Sequence, residues 1–314
     1  MDLIGVILWP IKWVIEFILV TFHSVFSSLG MDPDGGPTWV LSIVGLVVVV
    51  RAALIPLFVK QIKSQRRMLE VAPELKKIQD KYRGKKDQFS REAMSRETME
   101  LYRRTGTNPL SSCLPILIQM PIFFGLFSVL NDAQHDKGGV GLFTQELADS
   151  FANATIFGAA MKDSFVGALN SGGPWQVMVI AVVMIVLMTI SQFITQRQIV
   201  SKNMSPEAKA SPMYRQQQIL LYILPIVFAV SGIAFPIGVM MYWLVSNFWT
   251  MGQQFVIIRQ MPTPGSEAAK AREERLARKG KLVSPEPSQE AQEQAKPTQR
   301  QQPVGKNRAK KKKK

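Results

Sequence analysis

The chain has 314 residues and a formal net charge of +15, yet only 19% of its residues are charged and 47% are apolar. A single cysteine, Cys113, allows no intramolecular disulfide, and there are only two histidines, His23 and His135, with no HExxH, CxxC or P-loop pattern. These absences argue against disulfide scaffolds, zinc sites and nucleotide chemistry, so we expect no cofactor, no metal and no catalytic residues.

The apolar residues are gathered into long uncharged stretches that alternate with charge-dense ones, which is the distribution of an all-α polytopic membrane protein. The first stretch, 3–26, is apolar and aromatic but is interrupted by Pro10, Lys12 and Glu16. It admits two readings, a sixth span or an amphipathic helix lying in the interface, and Trp9, Trp13 and the two charges favour the interfacial one. Next come 38–59, 110–130 and 175–196, each long enough at 1.5 Å per residue to cross a core ~30 Å thick. The run 216–258 carries no charge over 43 positions. As one helix it would be ~65 Å long, about twice the apolar core, so it must fold back. Ser231-Gly232 and Phe235-Pro236-Ile237-Gly238 supply the break and divide it into spans 219–235 and 237–258. Cys113, inside an apolar stretch, reads as a small packing residue.

The segment 61–105, between the first two of these core spans, is too long and charged for a turn. Met68, Leu69, Leu75, Ile78 and Tyr82 recur at helical spacing with Pro73 as a helix start, Gly84 breaks the pattern, and 90–104 resumes it. Gly106 and Asn108-Pro109 end it, so the segment reads as a helical hairpin. From 259 to the end the chain is rich in Glu, Gln, Pro, Lys and Arg and is expected to be a disordered tail with at most local helix.

Charge orients the array. The segments 60–110, 196–218 and 259–314 carry net charges of +7, +3 and +10, whereas 1–37 and 131–174 each carry −3. Positive loops stay in the cytoplasm, so the first core span starts outside and the C-terminus ends inside. The tail closes on Arg308, Lys310, Lys311, Lys312, Lys313 and Lys314. Such a cluster attracts polyanions, either anionic lipid or RNA, and its distance from the last span favours something bulky such as a ribosome.

One charge lies inside a core span. Arg51 follows four valines and sits nine residues before Lys60, ~13 Å from the inner end. A guanidinium at that depth costs about 2.5–3.5 kcal/mol on insertion scales and cannot escape by losing its proton. Its stem is too short to reach the interface unless water comes to meet it, so a hydrated cavity is the reading preferred over snorkelling. No Asp or Glu lies in any core span. The side chains available to line a cavity are neutral: Gln119, Ser191, Gln192, Thr195, Gln196, Tyr242, Trp243, Ser246 and Asn247. From these we take Arg51, Gln119, Gln192, Gln196, Tyr242, Trp243 and Asn247 as candidate substrate contacts. A small-anion transporter using Arg51 as its substrate site is the alternative, although five spans without an internal repeat do not divide into halves.

The run Arg51-x4-Pro56, then Leu75-Lys76-Lys77-Ile78-Gln79-x2-Tyr82, Glu100-Leu101-Tyr102, Asn108-Pro109-Leu110, Cys113-x-Pro115, Gln119-Met120-Pro121-Ile122 and Pro236-x-Gly238-x3-Tyr242-Trp243-x3-Asn247 together resemble the YidC insertase family over about 38–258. The resemblance implies five core helices around a hydrophilic groove open to cytoplasm and lipid, with Arg51 as the groove arginine. It implies that nascent membrane proteins are the clients, that the basic tail contacts the ribosome, and that the Sec translocon cooperates. It places the protein in the bacterial plasma membrane. Without a large external domain ahead of the first core span, and without an N-terminal lipobox cysteine, the resemblance is to the actinobacterial type.

Overall fold

The computed structural model describes residues 3–107, 114–134, 137–204, 206–209, 219, 222, 223, 225–227 and 229–280. It is almost wholly helical among these residues. Three stretches, Gly5–Ser28, Gly36–Ser64 and Trp175–Arg197, are long and apolar enough to cross a membrane.

Helix α1 (Leu3–Ser28) packs on α2 (Gly36–Lys81) and on α4 (Leu114–Gln134). The two charges that interrupt its apolar sequence both have protein partners. Lys12 Nζ lies 3.0 Å from Asp132 Oδ2. Glu16 is fully buried (0% exposed), and its carboxylate accepts the Val140 and Gly141 N–H groups at 2.8 and 2.7 Å. Trp9 and Trp13 remain exposed.

Helix α2 runs unbroken for 46 residues, about 69 Å, through both Pro56 and Pro73. The sequence reading starts a new helix at Pro73, and the structure corrects it: the first core span and the first arm of the hairpin are one helix. A proline removes one backbone bond, and the contact of α2 with α3 (Gln88–Thr105) carries the helix past that local preference. Arg104 reaches Glu74 at 2.6 Å, Lys81 reaches Glu97 at 2.5 Å, and the Tyr82 hydroxyl donates to the same Glu97 at 2.8 Å. Met68, Val71 and Leu101 are the buried apolar side chains of this part. Asp87 caps α3 by accepting the Ser90 N–H. Gly106, at φ +62°, closes it: the Gly106 N–H donates to Arg103 O and the Thr107 N–H to Tyr102 O. This left-handed, doubly bonded end is the reason a glycine stands there.

The segment between α4 and α7 (Trp175–Arg197) folds into α5 (Gln145–Asn153), a two-residue hairpin of β1 (Thr155–Ile156) and β2 (Ala159–Ala160), and α6 (Phe165–Ser171). Trp39, fully buried at the start of α2, anchors it. Its ring stacks on His23 at 4.0 Å and meets Phe143 and Phe151 edge-on at 5.9 and 5.3 Å, while Nε1 donates to Ser150 Oγ at 3.1 Å. Two glycines permit the close approach: a Cβ on Gly36 would fall 2.0 Å from the Thr155 carbonyl, and one on Gly238 would fall 2.6 Å from the Phe151 ring.

Residues 229–232 are helical, 233–234 turn, and Pro236 then caps α9 (Ile237–Gln260). The Ile237 and Gly238 N–H groups, which have no intrahelical partner, donate to Asp163 O and Met161 O at 2.9 Å each. Helix α9 falls outside the three most apolar stretches because Tyr242, Trp243, Ser246, Asn247, Gln253 and Gln254 dilute it. Beyond α7 the chain takes a π-helical turn (Gln198–Lys202) and a short α8 (Pro206–Lys209).

Within the segment from 259, expected as a tail with at most local helix, helix α9 continues to Gln260, the Thr263 N–H donates to Asn203 Oδ1 at 2.8 Å, and buried Ser266 caps a local helix, α10 (Glu267–Arg278), through the Ala269 N–H. A second compact unit begins at Lys270, and none of the residues of α10 is buried. Residues 281–314, with the whole basic cluster, lie outside the described residues.

The Lys81–Glu97 contact has a defined pH window. The hydrogen bond to Glu97 holds Lys81 above its usual range, and the hydrogen bonds from Lys81 and Tyr82 hold Glu97 below the usual carboxylate range. A depressed carboxylate stabilises above its unfolded value and fails as pH falls through its folded one, while a raised amine stabilises below its unfolded value and fails as pH rises through its folded one. This one contact should therefore be at full strength between about pH 5 and pH 10 and weaken at either extreme. Spin labels on the exposed Lys77 and Arg96 would report this as a broader distance distribution outside that window, with a smaller response to acid in Glu97→Gln than in the wild type.

Candidate functional site

Three helices bring their polar side chains to one place. From α2 comes Arg51, from α4 Gln119, and from α9 Tyr242 and Ser246. The Arg51 guanidinium donates to Ser246 Oγ and lies over the Phe58 ring, 5.9 Å from its centroid. The buried Tyr242 side chain interacts with Gln119, Ser246 and Arg51. Arg51, Gln119 and Tyr242, together with Ile15, Leu46, Val47, Val50, Ile122 and Leu126, line a small cavity with room for about one water (≈ 10 Å³).

The spacing explains the assembly. Tyr242 and Ser246 are four apart and share one face of α9, and Arg51 and Phe58 are seven apart on one face of α2. Gly125 of α4 lets α1 approach closely: a Cβ there would lie 2.9 Å from Ile11 and 3.3 Å from Ile15 of α1. Helix α1 thus contributes Ile15 to the lining as well as closing one side.

Electrostatically the site is one-sided. Among the described residues no carboxylate pairs with Arg51, and the three ion pairs of the structure lie elsewhere. A half-buried cation that donates to a hydroxyl and lies over an aromatic face, with a neutral phenol nearby, keeps its net charge uncancelled. Such a site can accept an anionic or strongly polar group and cannot relay a cation.

The structure unites Arg51, Gln119 and Tyr242 of the sequence-predicted set. Trp243 stands beside them in an aromatic cluster, 5.4 Å from Phe123 and 5.8 Å from Phe235. Gln192, Gln196 and Asn247 are half-buried and line no part of the cavity. Of the other polar residues weighed, Ser191 and Thr195 turn back on their own helix, donating to Met188 O and Ser191 O at 2.9 and 2.8 Å. The direct partner, Ser246, is absent from the narrower sequence set, although its i+4 relation to Tyr242 marks it. Phe58 and Ile15 carry no polar signal. Arg308 and Lys310–Lys314 lie outside the described residues.

This cavity within a set of apolar helices can be set beside known proteins. The profile of the 60Kd inner membrane protein family matches residues 31–264. The chain is 45% identical to the membrane protein insertase YidC of Tropheryma whipplei (strain Twist) over 98% of this chain and 97% of the relative. It is 47% identical to that of Streptomyces avermitilis over 85% of this chain and 61% of the relative. It is 36% identical to that of Bifidobacterium longum over 97% and 95%. The chain therefore belongs to the YidC family of 60Kd inner membrane proteins.

Removing the hydroxyl that holds Arg51 leaves a buried cation one bond short. Ser246→Ala should cost about 1.5–3 kcal/mol, the range for a hydrogen bond to a charged group. Thermal unfolding of the protein in detergent measures this, and the companion Trp249→Phe, which keeps an aromatic ring one turn further along α9, should move it far less.

Proposed function

We propose that this chain is a membrane protein insertase that moves segments of nascent membrane proteins into the lipid bilayer. The observation that carries the reading is Arg51: a half-buried cation among apolar helices, held by the Ser246 hydroxyl beside Tyr242, with no carboxylate partner among the described residues. The kinship with proteins named membrane protein insertase YidC supports it.

The proposed core has five membrane helices around a hydrated groove, with α2, α4, α7 and α9 as four of them and residues 219–235 as the fifth. The positive segments face the cytoplasm, so the α2–α3 hairpin and the C-terminus are cytoplasmic and residues 131–174 are external, in a bacterial plasma membrane. Helix α1 crosses the membrane or lies in its outer interface.

Mechanistically, a short hydrophilic segment of the client leaves the cytoplasm and meets Arg51, Gln119 and Tyr242 instead of hydrocarbon. That lowers the cost of carrying unsatisfied polar groups part-way through the bilayer. The client's apolar span partitions into lipid alongside, and burial of its surface drives the process without nucleotide hydrolysis by this chain. Gln192, Gln196, Trp243 and Asn247 extend the client path beyond the cavity. The basic cluster Arg308 to Lys314 contacts the ribosome or anionic lipid, and the Sec translocon is the proposed partner for larger clients.

Reconstituted insertion of a single-span client with one acidic residue in its translocated segment tests the reading. Arg51→Ala should lower the yield about ten- to a hundredfold, the equivalent of one charge-assisted hydrogen bond, with Arg51→Lys retaining part of it. Wild-type insertion of every client by Arg51→Ala would remove the charge from the mechanism.

A further inference from the structure

Below the Arg51 site on the same helix lies a polar group that the cavity does not use. Gln61 of α2 is 3% exposed, and neither its Nε2 nor its Oε1 has a hydrogen-bond partner. A carboxamide in that condition is costly, because no protein group among the described residues takes the place of the solvent that burial removes. Folded proteins pair nearly all such groups, so an unpaired one calls for a reason.

Its position supplies the reason. Val47, Arg51, Leu54, Phe58 and Gln61 follow the spacing i, i+4, i+7, i+11, i+14, which is one stripe along a helix. All five are buried or half-buried, whereas, of the neighbours, Ala52, Ala53, Ile55, Pro56 and Lys60 are exposed and Leu57 and Val59 half-buried. The stripe therefore leads from the cavity wall at Val47 and Arg51, past the Phe58 ring, to Gln61, ~15 Å further along α2. Gln61 directly follows Lys60, the first cation after Arg51, and so stands where the apolar part of α2 meets the charged hairpin. At the equivalent end of α7, next to Arg197, Gln198 repeats the feature: its Oε1 is buried and unpaired. It opens the π-helical turn Gln198–Lys202.

We infer that Gln61 is a substrate-binding residue at the cytoplasmic mouth of the groove, where its free carboxamide pairs with the backbone of the entering client. The inference rests on the insertase reading above. A primary amide offers one acceptor and two donors, the same functions that a peptide bond presents as C=O and N–H. A client segment leaving water must satisfy its backbone groups before it can form a helix in lipid. Gln61 can hold one such peptide unit through two hydrogen bonds. Being neutral, it does so without regard to the client's side chains. Arg51 selects for charge deeper in the groove, while Gln61 receives any chain at the entrance. The unsatisfied carboxamide in the resting protein is the site waiting for its ligand.

The test uses the full-length protein in liposomes and a single-span client whose translocated segment contains only Gly, Ser and Gln, so that Arg51 has no acid to attract. Gln61→Met keeps the length and volume of the side chain and removes both polar atoms. It should lower insertion about tenfold, the equivalent of about two ordinary hydrogen bonds. Thermal stability in detergent should stay level or rise, because an unpaired buried amide has been removed. Gln61→Asn, which keeps the carboxamide, should insert better than Gln61→Met. Wild-type insertion by Gln61→Met would overturn the inference, as would a loss of insertion that follows a matching loss of stability. Failure of the wild-type protein itself to insert the client would instead overturn the insertase reading.

Discussion

An arginine inside an apolar helix that cannot lose its proton has to be satisfied where it stands, and most of the architecture follows from that. Arg51 is too deep for its stem to reach the interface unaided. Its neighbours answer it. Helix α9 brings Ser246, whose hydroxyl accepts from the guanidinium, and α2 itself supplies the Phe58 ring, while Tyr242, bonded to Ser246 and to Gln119 of α4, stands close by. The cation is met by a hydrogen bond and an aromatic face, with no counter-charge among the described residues. A carboxylate in that place would have made a buried ion pair, a feature whose desolvation cost commonly cancels its Coulomb energy and which would have left nothing to attract a client.

The opposite end of the helices is held by a different logic. There the negatively charged segment 131–174 is fastened to the starts of α2 and α9 through backbone hydrogen bonds, the Trp39 aromatic cluster and two close glycine contacts. Glu16 and Lys12 tie α1 to the same region, Glu16 by accepting backbone N–H groups of that segment. One end is crowded by these contacts, and the Arg51 site lies toward the other.

Much of this was legible from residue order alone. The helical class, the apolar stretch from Trp175, the break before Ile237 and the place of Arg51 within an apolar helix follow from runs of apolar residues punctuated by Pro, Gly and charge. Three features were not legible. Pro73 reads as a helix start by local preference, yet contact with α3 keeps α2 continuous through it. Residues 259–280 read by composition as a tail with at most local helix, which does not reveal that the Asn203 side chain fixes Thr263 or where Ser266 caps that helix. The choice among the polar residues of the spans was the hardest. Period alone cannot tell a hydroxyl that turns back to its own carbonyl, as in Ser191 and Thr195, from one that reaches across, as in Ser246. That difference is set by which helix lies opposite, and only the packing records it.

The claim that a client passes along the Arg51 site is tested most directly by site-specific photo-crosslinking. A photo-reactive residue at Gln119 or at Trp243 would be presented to a stalled ribosome–nascent chain carrying one membrane span. The account predicts crosslinks that follow the client's span as the chain lengthens and that weaken in Arg51→Ala. A folded, reconstituted protein that gives no crosslink to any nascent chain from either position would contradict it.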